Sequence, residues 1–295
     1  MANVRERITS ASETFTAAER RISALVLSDY PYSGLDPITQ VSERSHASPA
    51  SVSRFIQKLG FDGFQDFQRH LISELREGQR SPTQIREATQ PVESSFLTTF
   101  LERSEGLLAS TRDLVTEQQF ERICALLSDK KRSIYISGGR ISASIMHYFA
   151  WHLQYARRDV FVLPSDPEYW PQQILQLRRG DVLILSDYRR YDSRLLPLAQ
   201  AARNRKADVV LLTDTWISPI SAHATEILTI PIYTDTLWDS YTPVLSVLEA
   251  LATQVAEKNW NDVKDRLASW DEIRTEQRGY MNKQSADMNE EHHDT

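Results

Sequence analysis

At 295 residues, 41% hydrophobic and 25% charged, the chain is long enough for two domains with separate cores and too ordinary in composition for a disordered or fibrous protein. No apolar run approaches the roughly 20 residues that cross a bilayer, residues 1–10 are too polar for a secretory signal, and the lone Cys124 excludes an intramolecular disulfide, so a reducing, cytoplasmic setting is expected. The net charge of −6 argues against a nucleic-acid partner only at first sight: basic and acidic residues balance over residues 1–80, and contact with phosphates depends on the face presented.

Residues 19–30 read as a helix, with Ile22, Leu25, Val26 and Tyr30 at helical spacing and Thr16 with Glu19 as a capping box. Pro31, Gly34 and Pro37 break the chain; short helices follow at 38–45 and from Ser48 to Gly60, then a longer one at 65–76. The stretch 77–91, with Gly78, Ser81, Pro82 and Pro91, reads as a linker, and helices are expected at 96–109 and 117–127. Beyond Ser133 apolar runs at 134–136, 160–163, 182–185, 209–212 and 227–232 alternate with helical segments at 142–155, 171–177, 194–203 and 218–224. Runs apolar on both faces, alternating with helices, predict a doubly wound parallel α/β sheet of five strands behind an all-α N-terminal domain. A last strong helix is expected at 243–255. The expected division is an N-terminal domain at 1–77, a linker at 78–92, an α/β domain at 93–268 and a polar, disordered tail at 269–295.

The segment 38–60 carries the first functional signal. Ser48 can cap the second helix, and Pro49 suits its first position. Val52, Phe55, Ile56 and Leu59 form one buried stripe, while Ser51, Ser53, Arg54, Gln57 and Lys58 make an opposite face without a carboxylate. A helix laid in the major groove needs such a face, and with Ser42 and the tight gap at His46 and Ala47 the pair reads as a helix-turn-helix. His46 stands where glycine is usual and tolerates positive φ. Spacing alone fits equally a solvated amphipathic helix in a small bundle.

Phe15-Thr16-Ala17-Ala18-Glu19-Arg20-Arg21-Ile22, Ser48-Pro49-Ala50-Ser51-Val52-Ser53-Arg54-Phe55 and Lys58-Leu59-Gly60-Phe61-Asp62-Gly63-Phe64 together resemble the N-terminal module of RpiR-type regulators, a family that joins a helix-turn-helix to a sugar-isomerase-like (SIS) domain. Gly180-Asp181-Val182, Leu212-Thr213-Asp214 and Ser218-Pro219 are similar to SIS signatures. The resemblance implies a DNA-binding transcription regulator, with double-stranded operator DNA met by Ser48, Ser51, Ser53, Arg54, Gln57 and Lys58. It also implies a sugar phosphate at the carboxyl ends of the strands, where open α/β sheets bind ligands in general.

Two loops depart from that pattern. In 137–142, where the family has Gly-x-Gly-Ser-Ser, Gly138 and Ser142 match while Arg140 and Ile141 replace Gly and Ser. In 186–193, where it has Ser-x-Ser-Gly-x-Thr, Ser186 matches while Tyr188, Arg189 and Tyr191 differ. Arginine holds phosphate, sulfonate or carboxylate through paired hydrogen bonds. A small anionic, carbohydrate-derived metabolite is therefore expected on Gly138, Arg140, Ser142, Ser186, Tyr188, Arg189, Arg190 and Ser193; the alternative for the arginines is exposure or pairing with carboxylates. His147 and His152, five apart, make a poor metal pair, and neither metal nor cofactor is expected. Trp151, Trp170, Trp216, Trp238 and Cys124 read as packing groups, Trp170 being the best candidate for a site. The competing functions are an SIS-type sugar-phosphate isomerase, for which Glu249 is the one candidate base, and an effector-independent DNA binder; a non-enzymatic homodimer or homotetramer is the expected form.

Overall fold

The computed structural model describes residues 3–28, 30–79, 81–88 and 95–291. Its N-terminal part is helical: α1 (Val4–Ala11), α2 (Ala17–Ser28), α3 (Ile38–Arg44), α4 (Pro49–Lys58) and α5 (Phe64–Gln79). Ile22, Val26, Val41, Val52, Phe55, Ile56, Phe67 and Leu71 close one core, with Phe15 set edge-on to Phe55 at 5.2 Å. The sequence pattern missed α1, because only Val4 and Ile8 face inward from it. Its start is tied down by Glu74 on α5, whose carboxylate accepts from the Val4 N–H at 2.7 Å and from the Tyr30 hydroxyl.

The expected turn between α3 and α4 has a defined geometry. His46 adopts φ 49°, its N–H donates to Glu43 C=O at 3.1 Å, and the Ala47 N–H donates to Ser42 C=O at 2.9 Å. These two bonds end α3 in a left-handed cap. From α2, Arg21 donates to the carbonyls of Ser45 (3.1 Å) and His46 (3.0 Å) and holds the turn from outside. The Thr16–Glu19 capping box forms as read, with the Thr16 N–H donating to Glu19 at 2.7 Å and the Glu19 N–H to Thr16 Oγ1 at 3.3 Å.

Where a linker was expected, α5 runs on to Gln79 and a short helix, α6 (Pro82–Ala88), follows, with Ser81 and Gln84 bonding each other's N–H and Ile85 buried. The remainder of that stretch, 89–92, lies outside the described residues.

The C-terminal part opens with α7 (Phe96–Leu114) and α8 (Glu117–Ser128). It then alternates β1 (Ile134–Gly138), α9 (Ser142–Ala156), β2 (Val160–Val162), α10 (Trp170–Gln176), β3 (Val182–Asp187), α11 (Leu195–Asn204), β4 (Asp208–Thr213) and β5 (Glu226–Thr229), and finishes with α12 (Thr242–Lys258) and α13 (Trp260–Glu291). The five strands are all parallel, in the order β2-β1-β3-β4-β5. Alternate residues feed opposite cores. Ile134, Ile136, Val182, Ile184, Val210 and Leu212 pack under α8, α9 and α12; Tyr135, Leu183, Leu185, Val209 and Leu211 pack under α10 and α11. Helices on both faces explain why the central strands β3 and β4 read as unbroken apolar runs over Val182 to Leu185 and Val209 to Leu212.

Two expectations change. The helix expected at 218–224 is a 3-10 turn, Pro219–His223, capped by Ser218. The tail expected to be disordered continues α13 to Glu291. Its first half is anchored to α9: Arg266 donates to the Gln154 carbonyl at 2.6 Å, and Trp270 meets Tyr155 edge-on at 5.6 Å. The polar sequence beyond lacks proline and is rich in straight-chain helix formers, so nothing in it stops the helix.

Candidate functional site: a DNA-facing helix and a cavity at the strand ends

The residues expected to meet DNA lie on α4. The Ser48 hydroxyl accepts from the Ser51 N–H at 3.2 Å and so caps the helix, with Pro49 in its first turn. Arg54 is exposed, and its Nη2 reaches the Ser51 hydroxyl at 3.4 Å, a weak contact that leaves the guanidinium available. Gln57 is exposed and Ser53 half-buried on the same side. Lys58 is occupied: its Nζ donates to Glu19 at 3.0 Å and to the Thr14 carbonyl at 2.8 Å. As a surface pair, this bond is weak enough to exchange for a phosphate.

The two loops expected to meet a metabolite come together at the carboxyl ends of β1 and β3, beside a cavity of about 640 Å³. Arg140, Ser142, Tyr188, Arg189, Arg190 and Ser193 line it; Gly138 and Ser186 are set outside the lining. Gly138 is where the loops cross most closely. A Cβ there would stand 2.6 Å from Ser186 Oγ and 3.0 Å from the Ala143 nitrogen. Ser142 is buried and spends its hydroxyl on the Ser186 carbonyl at 2.9 Å, holding one loop to the other. Ser186 Oγ and the Tyr188 hydroxyl are buried without a hydrogen-bond partner. Tyr188 stands edge-on to Tyr241 at 5.5 Å and packs into the core under α9 and α12.

The arginines divide into two kinds. Arg140 and Arg190 are exposed at the cavity, and among the described residues no acidic side chain pairs with either. Arg189 is committed: it pairs with Asp239 at 3.2 Å, lies 4.1 Å from the Trp216 ring centre and 5.1 Å from that of Tyr233, and donates to the Glu77 carbonyl at 3.1 Å. Arg194 is held by both oxygens of Asp192.

Sequence reasoning gave the carboxylates no role at the site. Asp187 ends β3 and lines the cavity; Asp214 follows β4, fully buried; Asp239 lies in the loop before α12. Burial pushes the Asp187 carboxyl up to about 7, and the nearby Asp214 and Asp192 charges add to this; the Ser218 hydroxyl (2.5 Å) and the Asp192 N–H (3.0 Å) pull the other way. Burial lifts Asp214 to about 6, against donation from the Arg189 N–H (2.6 Å) and the Tyr191 hydroxyl (2.8 Å). The available signal was a repeat, since both strands run apolar and then end in a hydroxyl residue followed by aspartate: Leu185-Ser186-Asp187 and Leu212-Thr213-Asp214.

These shifts carry a pH dependence. A carboxyl whose pKa rises on folding makes the folded form bind protons that the unfolded chain has released, so stability falls as pH rises between the two values. The melting temperature is therefore expected to climb as pH is lowered from about 8 through 7 toward 5, and Asp187→Asn to flatten the climb. Calorimetry across that range checks it; an unchanged slope in the variant would remove Asp187 as the cause.

Glu249, the candidate base, accepts from the Tyr148 hydroxyl at 2.7 Å and does not line the cavity. Trp170 is a packing group whose indole N–H donates to the Pro164 carbonyl at 2.8 Å. Trp238 is exposed on the cavity rim, and Trp216 faces Arg189. Among the described residues no three His, Cys, Asp or Glu side chains gather as a metal site, and no helix is long and apolar enough to cross a membrane.

Comparisons with known proteins fall on the same two halves. The model of the rpiR-family helix-turn-helix domain matches residues 2–78, and that of the SIS domain matches residues 126–254. The chain is 25% identical over 276 residues to the HTH-type transcriptional regulator HexR of Escherichia coli K12, covering 90% of this chain and 92% of that protein. The Vibrio vulnificus NanR protein, solved in complex with ManNAc-6P, aligns with a TM-score of 0.52 at 18% identity, covering 92% of this chain and 98% of that one. The sugar isomerase domain of an RpiR transcription factor from Sphaerobacter thermophilus aligns at 0.56, also 18% identical, covering 61% of this chain and 99% of that domain. At these identities the structural likeness establishes the fold.

Proposed function

The chain belongs to the RpiR-type transcription regulators, which carry a helix-turn-helix ahead of an SIS domain, and from that premise we propose that a sugar phosphate or similar anionic carbohydrate, bound between the β1 and β3 loops, controls its hold on operator DNA. The observation that carries this reading is a pair of exposed arginines, Arg140 and Arg190, without an acidic partner among the described residues, on a cavity at the strand ends beside the start of α9. Free N–H groups in a helix's first turn favour anions, and guanidinium groups add full charge to that partial one. The Vibrio vulnificus NanR protein, whose fold this chain shares, was solved in complex with ManNAc-6P, which supports the class. Glu249, bonded to Tyr148 and outside the cavity, favours a binding site over an isomerase.

The protein would act in the cytoplasm, as a homodimer or homotetramer on a palindromic site, two copies of α4 reading half-sites one turn or a multiple apart. Exposed Phe96, Leu97 and Leu101 on α7 support self-association. The test is a thermal-shift panel of ManNAc-6P, hexose 6-phosphates, phosphorylated sugar acids and their unphosphorylated counterparts, with light scattering on the same samples. A ligand at a hundred times its Kd adds about 2.7 kcal/mol to the folded state, an easily read rise in melting temperature. Binding should require the phosphate and vanish in Arg140→Ala with Arg190→Ala. Equal response to unphosphorylated sugars, or a response untouched by the double variant, would move the effector elsewhere.

A further inference from the structure

The loop after β3 faces two ways. Toward the cavity it presents the buried side chain of Arg189 (5% exposed) beside the partly exposed Asp239 (16%), and their charges touch without aligning. Nε and Nη2 of Arg189 and Oδ1 of Asp239 are buried and make no hydrogen bond. Unmatched capacity of this kind is costly to bury, and here it borders the space in which a ligand would lie.

Toward the helix-turn-helix the same loop grips the end of α5. Nη1 of Arg189 donates to the Glu77 carbonyl at 3.1 Å, and the N–H of Arg190, a residue at φ 65°, donates to the Gly78 carbonyl at 3.1 Å. The last four carbonyls of a helix have no intrahelical donor, and a cation there also suits the helix dipole. The fit is close, since a Cβ on Gly78 would lie 3.1 Å from Trp216 Cβ, the residue whose ring covers the guanidinium. One residue further, Ile217 enters the helix-turn-helix core with Phe67 and Leu71 of α5.

We propose that Arg189 is the coupling element between cavity and DNA-binding domain: whatever engages Asp239 changes the grip of the guanidinium on α5 and, through the core α5 shares with α4, the placement of the DNA-facing helix. The ligand this arrangement suits is a polyhydroxylated anion, with a hydroxyl donating to Asp239 Oδ1 while the anionic group meets Arg140 and Arg190. The ligand part rests on the cavity being the effector site. Arg189 is a positioning residue in this scheme and need not hold the anion itself.

The test needs no effector. Hydrogen exchange is followed in the full-length protein for the Arg190 amide, the last turn of α5 and the central strands, in wild type, Asp239→Asn, Arg189→Ala and the double variant. Asp239→Asn removes the counter-charge outright, a larger change in the same contact than a ligand hydroxyl donating to Oδ1 would make. Each single variant is expected to speed exchange at Arg190 and the α5 end by about ten-fold, leaving β1, β3 and β4 unchanged. The double variant is expected to match Arg189→Ala alone, because both changes act through one guanidinium. Arg189→Lys keeps the charge without the fork that reaches both partners, and is expected to lose α5 protection while melting like wild type. Unchanged α5 exchange in Asp239→Asn, additive effects in the double variant, or full protection in Arg189→Lys would overturn the coupling. A failed effector panel would sink the functional reading and leave this result standing.

Discussion

Replacing Arg54 by alanine is expected to weaken operator binding by about 1–3 kcal/mol, roughly ten- to a hundred-fold at fixed salt, while the domain stays folded. Arg54 projects from the exposed side of α4, and its one side-chain hydrogen bond among the described residues, to Ser51 at 3.4 Å, is too long to matter for stability. Whatever it contributes is therefore made to the partner, by forked bonds to a guanine edge or to a phosphate. Fluorescence anisotropy on a duplex selected from a random library measures the loss, with circular dichroism as the control for folding. Lys58→Ala provides the contrast: because Lys58 must first leave Glu19, its removal should cost less and lower the salt dependence by about one counterion. Wild-type affinity in Arg54→Ala would mean that another face of the domain reads the DNA.

The neighbouring residue predicts the opposite kind of loss. Phe55→Ala is expected to destabilise the helix-turn-helix by about 3–5 kcal/mol, because it empties a site with no exposure whose ring meets Phe15 edge-on at 5.2 Å. Domains of this kind hold only about 5–15 kcal/mol in total, so a large share of the stability goes, and DNA binding goes with it through unfolding and not through a missing contact. Urea denaturation followed by circular dichroism separates the two variants: Arg54→Ala keeps its midpoint, Phe55→Ala does not. A loss below about 1 kcal/mol would show that Phe15 and the residues around it collapse into the gap.

The strands were legible because burial on both faces leaves a compositional trace that needs no partner to interpret, as Val182 to Leu185 and Val209 to Leu212 show. The stripe of α4 was legible for the same reason. α1 and α6 were not, since each buries too few side chains to set up a period, and the length of α13 was hidden because a helix without an apolar stripe looks like a tail. At the site, position along the strands was enough to bring Arg140, Tyr188, Arg190 and Ser193 to one cavity. What could not be read was allegiance. Arg189 and Arg190 are equivalent as letters, yet one is buried against Asp239 and the end of α5 and the other is open. That difference is set by Asp239, Trp216 and Glu77, residues 27 to 112 positions away from Arg189. Asp187 and Asp214 were left without a role for a physical reason as well: carboxylates count against an anion site until burial lifts them toward neutrality.

Ile217 gives the molecule a constraint on recombination. A β-branched residue at φ 60° is a backbone conformation that costs on the order of 1–3 kcal/mol, and it persists here because the side chain is 1% exposed inside the core of the other domain. The DNA-reading head is thus completed by a residue some 140 positions downstream of it, and a cut at the head's apparent C-terminal boundary would leave a hole in that core. A chimera that grafts residues 1–79 onto a foreign sensor, or a paralogue born by exchange of that segment, would inherit the recognition helix without its keystone. The region 214–218 has to travel with the head, so the two halves are bound to diverge as one unit.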